Sequence, residues 1–405
     1  MLQNKLNSFI QRYSGPIYIY DLGDIEKRLQ MLKRAFAAVK GFQHYFAMKS
    51  NSVSEILALM KDYGSGIDAV SAGEVELARA SGFAAEKIIY SGVGKTRREI
   101  QRALIAGVGQ FNVESLGEIK RISQIAQDLR MQVKVAIRVN PDVAAKTFSA
   151  VATGRASDKF GISFDQVEEG AKIAREEGLD LVGLSVHVGS MLMDFDALTV
   201  ALNKTLELWH KVGRLKRFDF GGGLGIDYQT EGENDFEVLD QYARAVGGCL
   251  GGLALEEVQC EIGRWLVARA GILIAEIQDV KAAGNKTLIV LDTGMHHLMR
   301  PALYEAFHRI VVLDMDGSCQ PTSLINPSGP AIGRNETNFE GMDFVGPVCE
   351  STDVLGRRRW VQNPTEGQKV AILDVGAYGE VMANRYNIKD EPQRGFIYAE
   401  KTRKI

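Results

Sequence analysis

A chain of 405 residues, 45% hydrophobic and 24% charged, is long enough for one large core plus a second domain and has the make-up of an ordinary globular protein. Its net charge of -3 supplies no basic field for nucleic acid or anionic lipid, so small-molecule chemistry is the default. The cysteines, Cys249, Cys260, Cys319 and Cys349, show no Cys-x-x-Cys spacing and no paired histidine ligands, which argues against structural zinc and fits reduced thiols in a cytosol.

At the N-terminus Gln3, Asn4, Lys5, Gln11 and Arg12 interrupt the apolar residues of 1–15, so no secretory leader is expected. No run reaches the ~20 apolar residues of a membrane span. Strands are predicted at 44–48, 67–71, 87–91, 110–114, 133–139, 181–187, 217–221 and 257–261. Helical periodicity lies between them, at 53–62, 73–81, 97–106, 115–129, 165–177, 193–212 and 235–247. This alternation predicts an α/β fold, a TIM-type (β/α)8 barrel over 25–265 whose site lies at the C-terminal strand ends. A doubly wound open sheet is the alternative; repeated units without a composition break favour closure. From 266 to 405 the texture turns β-rich, at 266–280, 287–292, 309–314, 343–348, 369–374 and 395–400. Glycine and proline turns between these runs predict a C-terminal antiparallel β domain, onto which residues 1–24 are expected to pack. The glycine- and proline-rich stretch 315–341 reads as a lid or insertion.

The first barrel strand, His44-Tyr45-Phe46-Ala47-Met48, ends on Lys49. Two readings fit it: a stem lying along the apolar wall with its ammonium in water, or an amine made nucleophilic by desolvation. Phe220-Gly221-Gly222-Gly223-Leu224-Gly225 follows another strand. Successive glycines let backbone N–H groups close around a phosphate, and equally make a tight turn. A dinucleotide fingerprint would want glycine where Ile226 stands, so that reading is weak. Cys260-Glu261-Ile262-Gly263-Arg264 closes the eighth strand with a carboxylate and a guanidinium. They form a simple ion pair, or the acid that keeps the ring nitrogen of pyridoxal 5′-phosphate (PLP) protonated.

Together these residues carry a resemblance. Phe46-Ala47-Met48-Lys49-Ser50-Asn51, Asp68-Ala69-Val70-Ser71-Ala72-Gly73-Glu74, His187-Val188-Gly189-Ser190, Arg300-Pro301-Ala302-Leu303-Tyr304, Gly346-Pro347-Val348-Cys349-Glu350-Ser351 and Gly376-Ala377-Tyr378-Gly379 are co-linear across nearly the whole chain. The sequence resembles the PLP-dependent decarboxylases of alanine-racemase-like fold, and within them most closely the diaminopimelate decarboxylases.

That resemblance implies PLP as cofactor, held covalently by Lys49 with His187 against the ring face. It implies that Ser190 and the amides of Gly221, Gly222 and Gly223 hold the phosphate, with Gly263, Arg264 and Tyr378 lining the cofactor. Glu261 would pair with the ring nitrogen. Arg264, Arg300 and Tyr304 would address the substrate's distal carboxylate, Glu350 its distal ammonium, and Cys349 would sit near the carbon to be protonated. The implied active unit is a cytoplasmic homodimer with shared sites, taking meso-diaminopimelate to L-lysine and CO2 without a metal. Decarboxylation of another or carrier-bound amino acid is the alternative; a racemase ranks lower because Glu261 is an acid, and a non-catalytic PLP-binding barrel would lack the second domain.

Outside the resemblance, His187 also fits a core histidine, Cys349 a buried small residue and Arg300 a surface pair. His296, His297 and His308 read as interface or lid residues. Ile262, Met191-Leu192, Thr147-Phe148-Ser149 and 388–391 depart from the family pattern, at the rim of the implied site.

Overall fold

The structure, a computed structural model, describes residues 6, 9, 14–143, 154, 157–213, 215–253, 255–313, 319–324 and 341–398. It divides into two compact units: 27–226 with 233–266, and 1–26 with 227–232 and 267–405.

In chain order, β1 (Ile17–Asp21) and α1 (Leu22–Ala35) precede the barrel. Its strands and helices are β2 (Phe42–Ala47), α2 (Ser54–Asp62), β3 (Gly66–Ala69), α3 (Ala72–Ala80), β4 (Ile88–Tyr90), α4 (Arg97–Ile105), β5 (Gln110–Val113), α5 (Leu116–Leu129), β6 (Lys134–Asn140), β7 (Ile162–Ser163), α6 (Val167–Glu176), β8 (Asp180–Val186), α7 (Asp196–Val212), β9 (Arg217–Asp219), α8 (Asp235–Leu250) and β10 (Glu257–Cys260). The strands run β5-β4-β3-β2-β10-β9-β8-β6, all parallel, and β5 pairs with β6 to close the ring; β7 adds a short pairing to β6. The closed sheet is the predicted barrel, and each predicted strand lies within two residues of an observed one.

Local chemistry starts the helices on schedule. Ser71 and Ser115 each accept the backbone N–H three residues on, and Thr96 with Glu99 forms a reciprocal capping box. The barrel interior departs from the branched apolar layers usual in such folds. Tyr45 donates to Glu257 (2.6 Å), Gln259 donates to Glu257 (3.0 Å) and to Gln110 (3.2 Å), and Gln110 donates to the Asn112 side-chain oxygen (2.9 Å). Each partner satisfies the next, which is what makes a polar column tolerable in a dry core.

After α9 (Arg264–Val267) come β11 (Gly271–Ala283), β12 (Lys286–Leu291), α10 (Arg300–Tyr304), β13 (Ile310–Leu313), β14 (Cys319–Pro321), β15 (Ser323–Leu324), β16 (Gly341–Val345), β17 (Val354–Trp360), β18 (Lys369–Leu373) and β19 (Gln393–Ile397). Their sheet order is β14-β13-β18-β11-β12-β16-β17-β15, with β1 between β11 and β19. The expected antiparallel domain is mixed: β12 with β16 and β1 with β19 pair in parallel. Ile17, Ile19, Ile272, Ile274, Val311, Leu313 and Leu373 form its core. Periodicity missed β17 because Gly356-Arg357-Arg358-Arg359 breaks the apolar alternation. Most of the expected 315–341 lid, and Thr147-Phe148-Ser149, lie outside the described residues.

Candidate active site

Lys49 sits in a one-turn 3-10 helix, Met48–Ser50, just past β2. The register pairs Ala47 with Asp68 on β3, and the Lys49 ammonium donates to Asp68 Oδ2 at 3.0 Å. Its side chain is 37% exposed while that of Asp68 is fully buried. The lysine is thus reachable from the barrel mouth, with a buried carboxylate beneath it. Asp68 stands in one of the sequence motifs with no role expected of it; its signal is an acid inside an otherwise apolar strand, Gly66–Ala69.

Across the mouth Glu261 ends β10 and is nearly buried. Ser91 donates to its Oε1 at 3.2 Å and Asn112 approaches the same atom at 3.4 Å. Burial, then Asp219, then Asp68 push the Glu261 carboxyl well above its usual range. Asp219 on β9, fully buried, accepts from Asn112 at 2.9 Å and from the Gly221 amide at 2.9 Å.

The glycine run lies where only glycine fits. Gly221 and Gly223 have φ of 72° and 89°, and a Cβ on Gly221 would stand 2.6 Å from the Val186 carbonyl oxygen. At Gly222 a Cβ would collide with the Glu261 carbonyl, and Tyr242 clamps the Gly222 carbonyl from below (2.8 Å). The Gly222 amide donates to His187 Nδ1 at 3.2 Å, which leaves Nε2 carrying the ring proton. Burial, Arg138 and Lys49 lower the pKa of His187 well below its usual value, so this imidazole is neutral. Arg264 donates to Ser190 at 3.1 Å. Gly263 packs against Ser50 and Ala47, where a Cβ would stand 2.7 Å from Ser50 Oγ. Lys49, His187, Ser190, Gly221, Gly222, Gly223, Glu261, Gly263 and Arg264 therefore all belong to the barrel unit, at or just past its strand ends.

The other predicted residues belong to the second unit. Arg300 opens α10 and is buried, stacked 4.5 Å over Tyr228 and 2.8 Å from His308 Nε2, which excludes the surface-pair reading. Tyr304 is 41% exposed. Cys349 is exposed, not buried, and its amide donates to Asn387 Oδ1 (3.0 Å). Glu350 is exposed and accepts from Tyr386 at 2.5 Å. Asp353 holds the amides of Met295 (2.5 Å) and Val348 (2.8 Å), which fixes the turn that presents Cys349. Tyr378 has φ 56° and is half-buried. His296, His297 and His308 are buried rather than lid residues; His297 bonds Thr293 and the Asp390 carbonyl, and His308 the Leu373 carbonyl. Among the described residues no helix is long and apolar enough to cross a membrane.

A reachable amine, a glycine cradle of close-approach backbone and a buried acid at one barrel mouth fit a phosphorylated aldehyde whose ring nitrogen needs a proton-sharing partner. The chain belongs to the pyridoxal-dependent decarboxylase family: residues 22–268 match the family model described as pyridoxal-dependent decarboxylase, pyridoxal binding domain. Its cofactor is PLP. Among named relatives it is similar to the diaminopimelate decarboxylase of Helicobacter pylori strain J99, 38% identical over 382 residues, covering 93% of this chain and 89% of the relative. The structure of diaminopimelate decarboxylase from H. pylori complexed with L-lysine matches with a TM-score of 0.84 at 34% identity, covering 98% of this chain and 94% of that one. The enzyme from M. jannaschii in complex with L-lysine matches at 0.83 and 29% identity, covering 96% and 89%.

Proposed function

We propose that this protein is a PLP-dependent carboxy-lyase that converts meso-diaminopimelate to L-lysine and CO2 in lysine biosynthesis. The observation that carries the reading is the opposition, at one barrel mouth, of Lys49 on its buried Asp68 and Glu261 beside the glycine cradle. Near-full-length likeness to diaminopimelate decarboxylases supports the substrate.

Lys49 would hold PLP through Nζ, with the Gly223 amide, Ser190 and Arg264 around the phosphate; the expected Gly221 and Gly222 amides are already given to Asp219 and His187, so those two glycines serve by letting the backbone approach closely. When bound, the cofactor supplies an electron sink for the pair released as CO2 leaves. The chain's own residues set the conditions. Asp68, which holds the Lys49 ammonium at 3.0 Å, would hold it again whenever Lys49 is free of the cofactor. Neutral His187, locked through Nδ1, would border the cofactor ring without adding charge. Glu261 keeps the ring nitrogen protonated.

Arg300, immobilised by Tyr228 and His308, would bind the substrate's distal carboxylate with Tyr304, and Glu350 the distal ammonium. The Cys349 thiol would return the proton at Cα. Cys349 and Glu350 are exposed in the single chain. So are Leu303, Tyr304, Val381, Tyr386, Ile388 and Tyr398 of the same unit, an apolar set that a second copy would cover. The active species is accordingly a homodimer whose Cys349-Glu350 turn completes the partner's site.

The test is a CO2-release screen of the PLP-loaded protein over meso-diaminopimelate, L-lysine, L-ornithine and L-arginine. Diaminopimelate should lead by up to ~10⁴–10⁵ in kcat/KM, the discrimination of a site built to pair buried polar groups. A better turnover of any other amino acid removes the substrate and keeps the decarboxylase.

A further inference from the structure

Asp219 has no part in the chemistry above, yet it touches two of its components. It is fully buried on β9, in a barrel wall where a carboxylate is tolerated only with partners. Oδ1 accepts the Gly221 amide, the first of the glycine cradle, at 2.9 Å. Oδ2 accepts the Asn112 side-chain nitrogen at 2.9 Å, and that same nitrogen stands 3.4 Å from Glu261 Oε1. The register makes this closeness unavoidable, since Asp219 pairs with Gln259 and the Glu261 amide donates to the Gly221 carbonyl at 2.7 Å. Two carboxyl groups therefore bracket one amide. Gln110 donates to the Asn112 oxygen from below, so Asn112 turns its nitrogen upward to Asp219, Glu261 and, at 3.2 Å, Ser91, which itself donates to Glu261.

We propose that Asp219 is a positioning residue: it ties the Gly221 amide to one oxygen and the Asn112 amide to the other, and so fixes Glu261 as the proton-bearing partner of the cofactor's ring nitrogen. The inference rests on the role given to Glu261 above and adds the group that makes that role work. Burial pushes both carboxyls above their usual range, and at Glu261 the charges of Asp219 and then Asp68 add to the rise. Two buried acids bracketing one amide thus favour holding a proton between them over carrying two charges. When PLP is bound, that proton would pass from a Glu261 carboxyl oxygen to the ring nitrogen, leaving Glu261 a carboxylate, and the Asp219 charge behind it would strengthen Glu261 as a base. The other titratable groups acting on this pair are Asp68 on β3, Lys49 after β2, Cys260 on β10 and Tyr242 on α8.

The test compares wild type, Asp219→Asn, Glu261→Gln and the double variant by PLP titration and by nitrogen-15 NMR of ring-labelled PLP across pH. Asp219→Asn should weaken PLP by ~10–100-fold, as losing an outer hydrogen-bond partner of a site commonly does. It should also move loss of the ring-nitrogen proton to lower pH, and in the Glu261→Gln background it should move nothing further. Wild-type affinity and midpoint in Asp219→Asn, or equal shifts in both backgrounds, overturn the proposal. If Asp219→Asn does not fold, infrared difference spectra of the wild type decide: PLP should abolish a protonated-carboxyl band that Glu261→Gln lacks, and an unchanged band refutes the inference. Failure of wild type to bind PLP at all would instead refute the underlying reading of the site.

Discussion

In the proposed reaction Lys49 and Glu261 are the two side chains on which the chemistry turns, and each is held by a neighbour at another strand, Asp68 and Ser91. Lys49→Ala should leave a folded barrel with no PLP that borohydride can fix to the chain; mass spectrometry of the reduced protein checks this, and a labelled variant removes Lys49 as the carrier. Glu261→Gln should retain PLP and lose ~10²–10³ in kcat, the size of losing one preorganised electrostatic partner. Near-normal turnover would remove its role. His44 gives a separate, pH-dependent handle. Its Nδ1 contacts Ser65 at 2.9 Å and its Nε2 the Ile262 carbonyl at 2.8 Å, just after Glu261. Burial lowers its pKa from 6.5 to about 4. A depressed pKa means that the neutral ring's stabilisation is complete above pH 6.5 and is lost as pH falls toward 4, by roughly 3 kcal/mol. Thermal melts of His44→Gln should show a shallower acid slope in that window than wild type; identical slopes would refute this.

At the scale of elements, the loop after β9 is tightly constrained by its neighbours. Its three glycines sit against the carbonyls of Val186, Gly189 and Glu261, so β8, β9 and β10 are packed through backbone rather than side chains. Gly222→Ala should force the cradle off the Glu261 carbonyl and weaken PLP by ~10-fold or more while the surrounding helices persist, a small displacement in a positioned site being costly. Fluorescence titration with PLP measures it, with circular dichroism as the control for folding; unchanged affinity would show that the cradle does not hold the phosphate.

For the whole molecule, the exposed Cys349-Glu350 turn leads to a prediction about assembly. Mixing inactive Lys49→Ala and Cys349→Ala chains at equal ratio, with subunit exchange verified, should restore about a quarter of wild-type activity, because half of the dimers carry one intact site of two. No recovery would mean that each site is completed by its own chain.

The sequence by itself determined the barrel, because period-2 apolar runs alternating with 3.6-period helices over eight units leave few topologies. It also offered the candidate residues whose type is their signal: Lys49 at a strand end, Gly221 to Gly223, and Glu261. Only the tertiary structure decided what stands behind them. Asp68, Asn112 and Asp219 sit in short strands as single polar letters, and nothing local says that parallel register brings Asp68 to Lys49 or puts Asp219 beside Glu261. Likewise Arg300, His297 and His308 are held by Tyr228, Asp390 and Leu373, partners from elsewhere in the chain. Periodicity reports which face a residue occupies, whereas long-range pairing decides which charge it meets there.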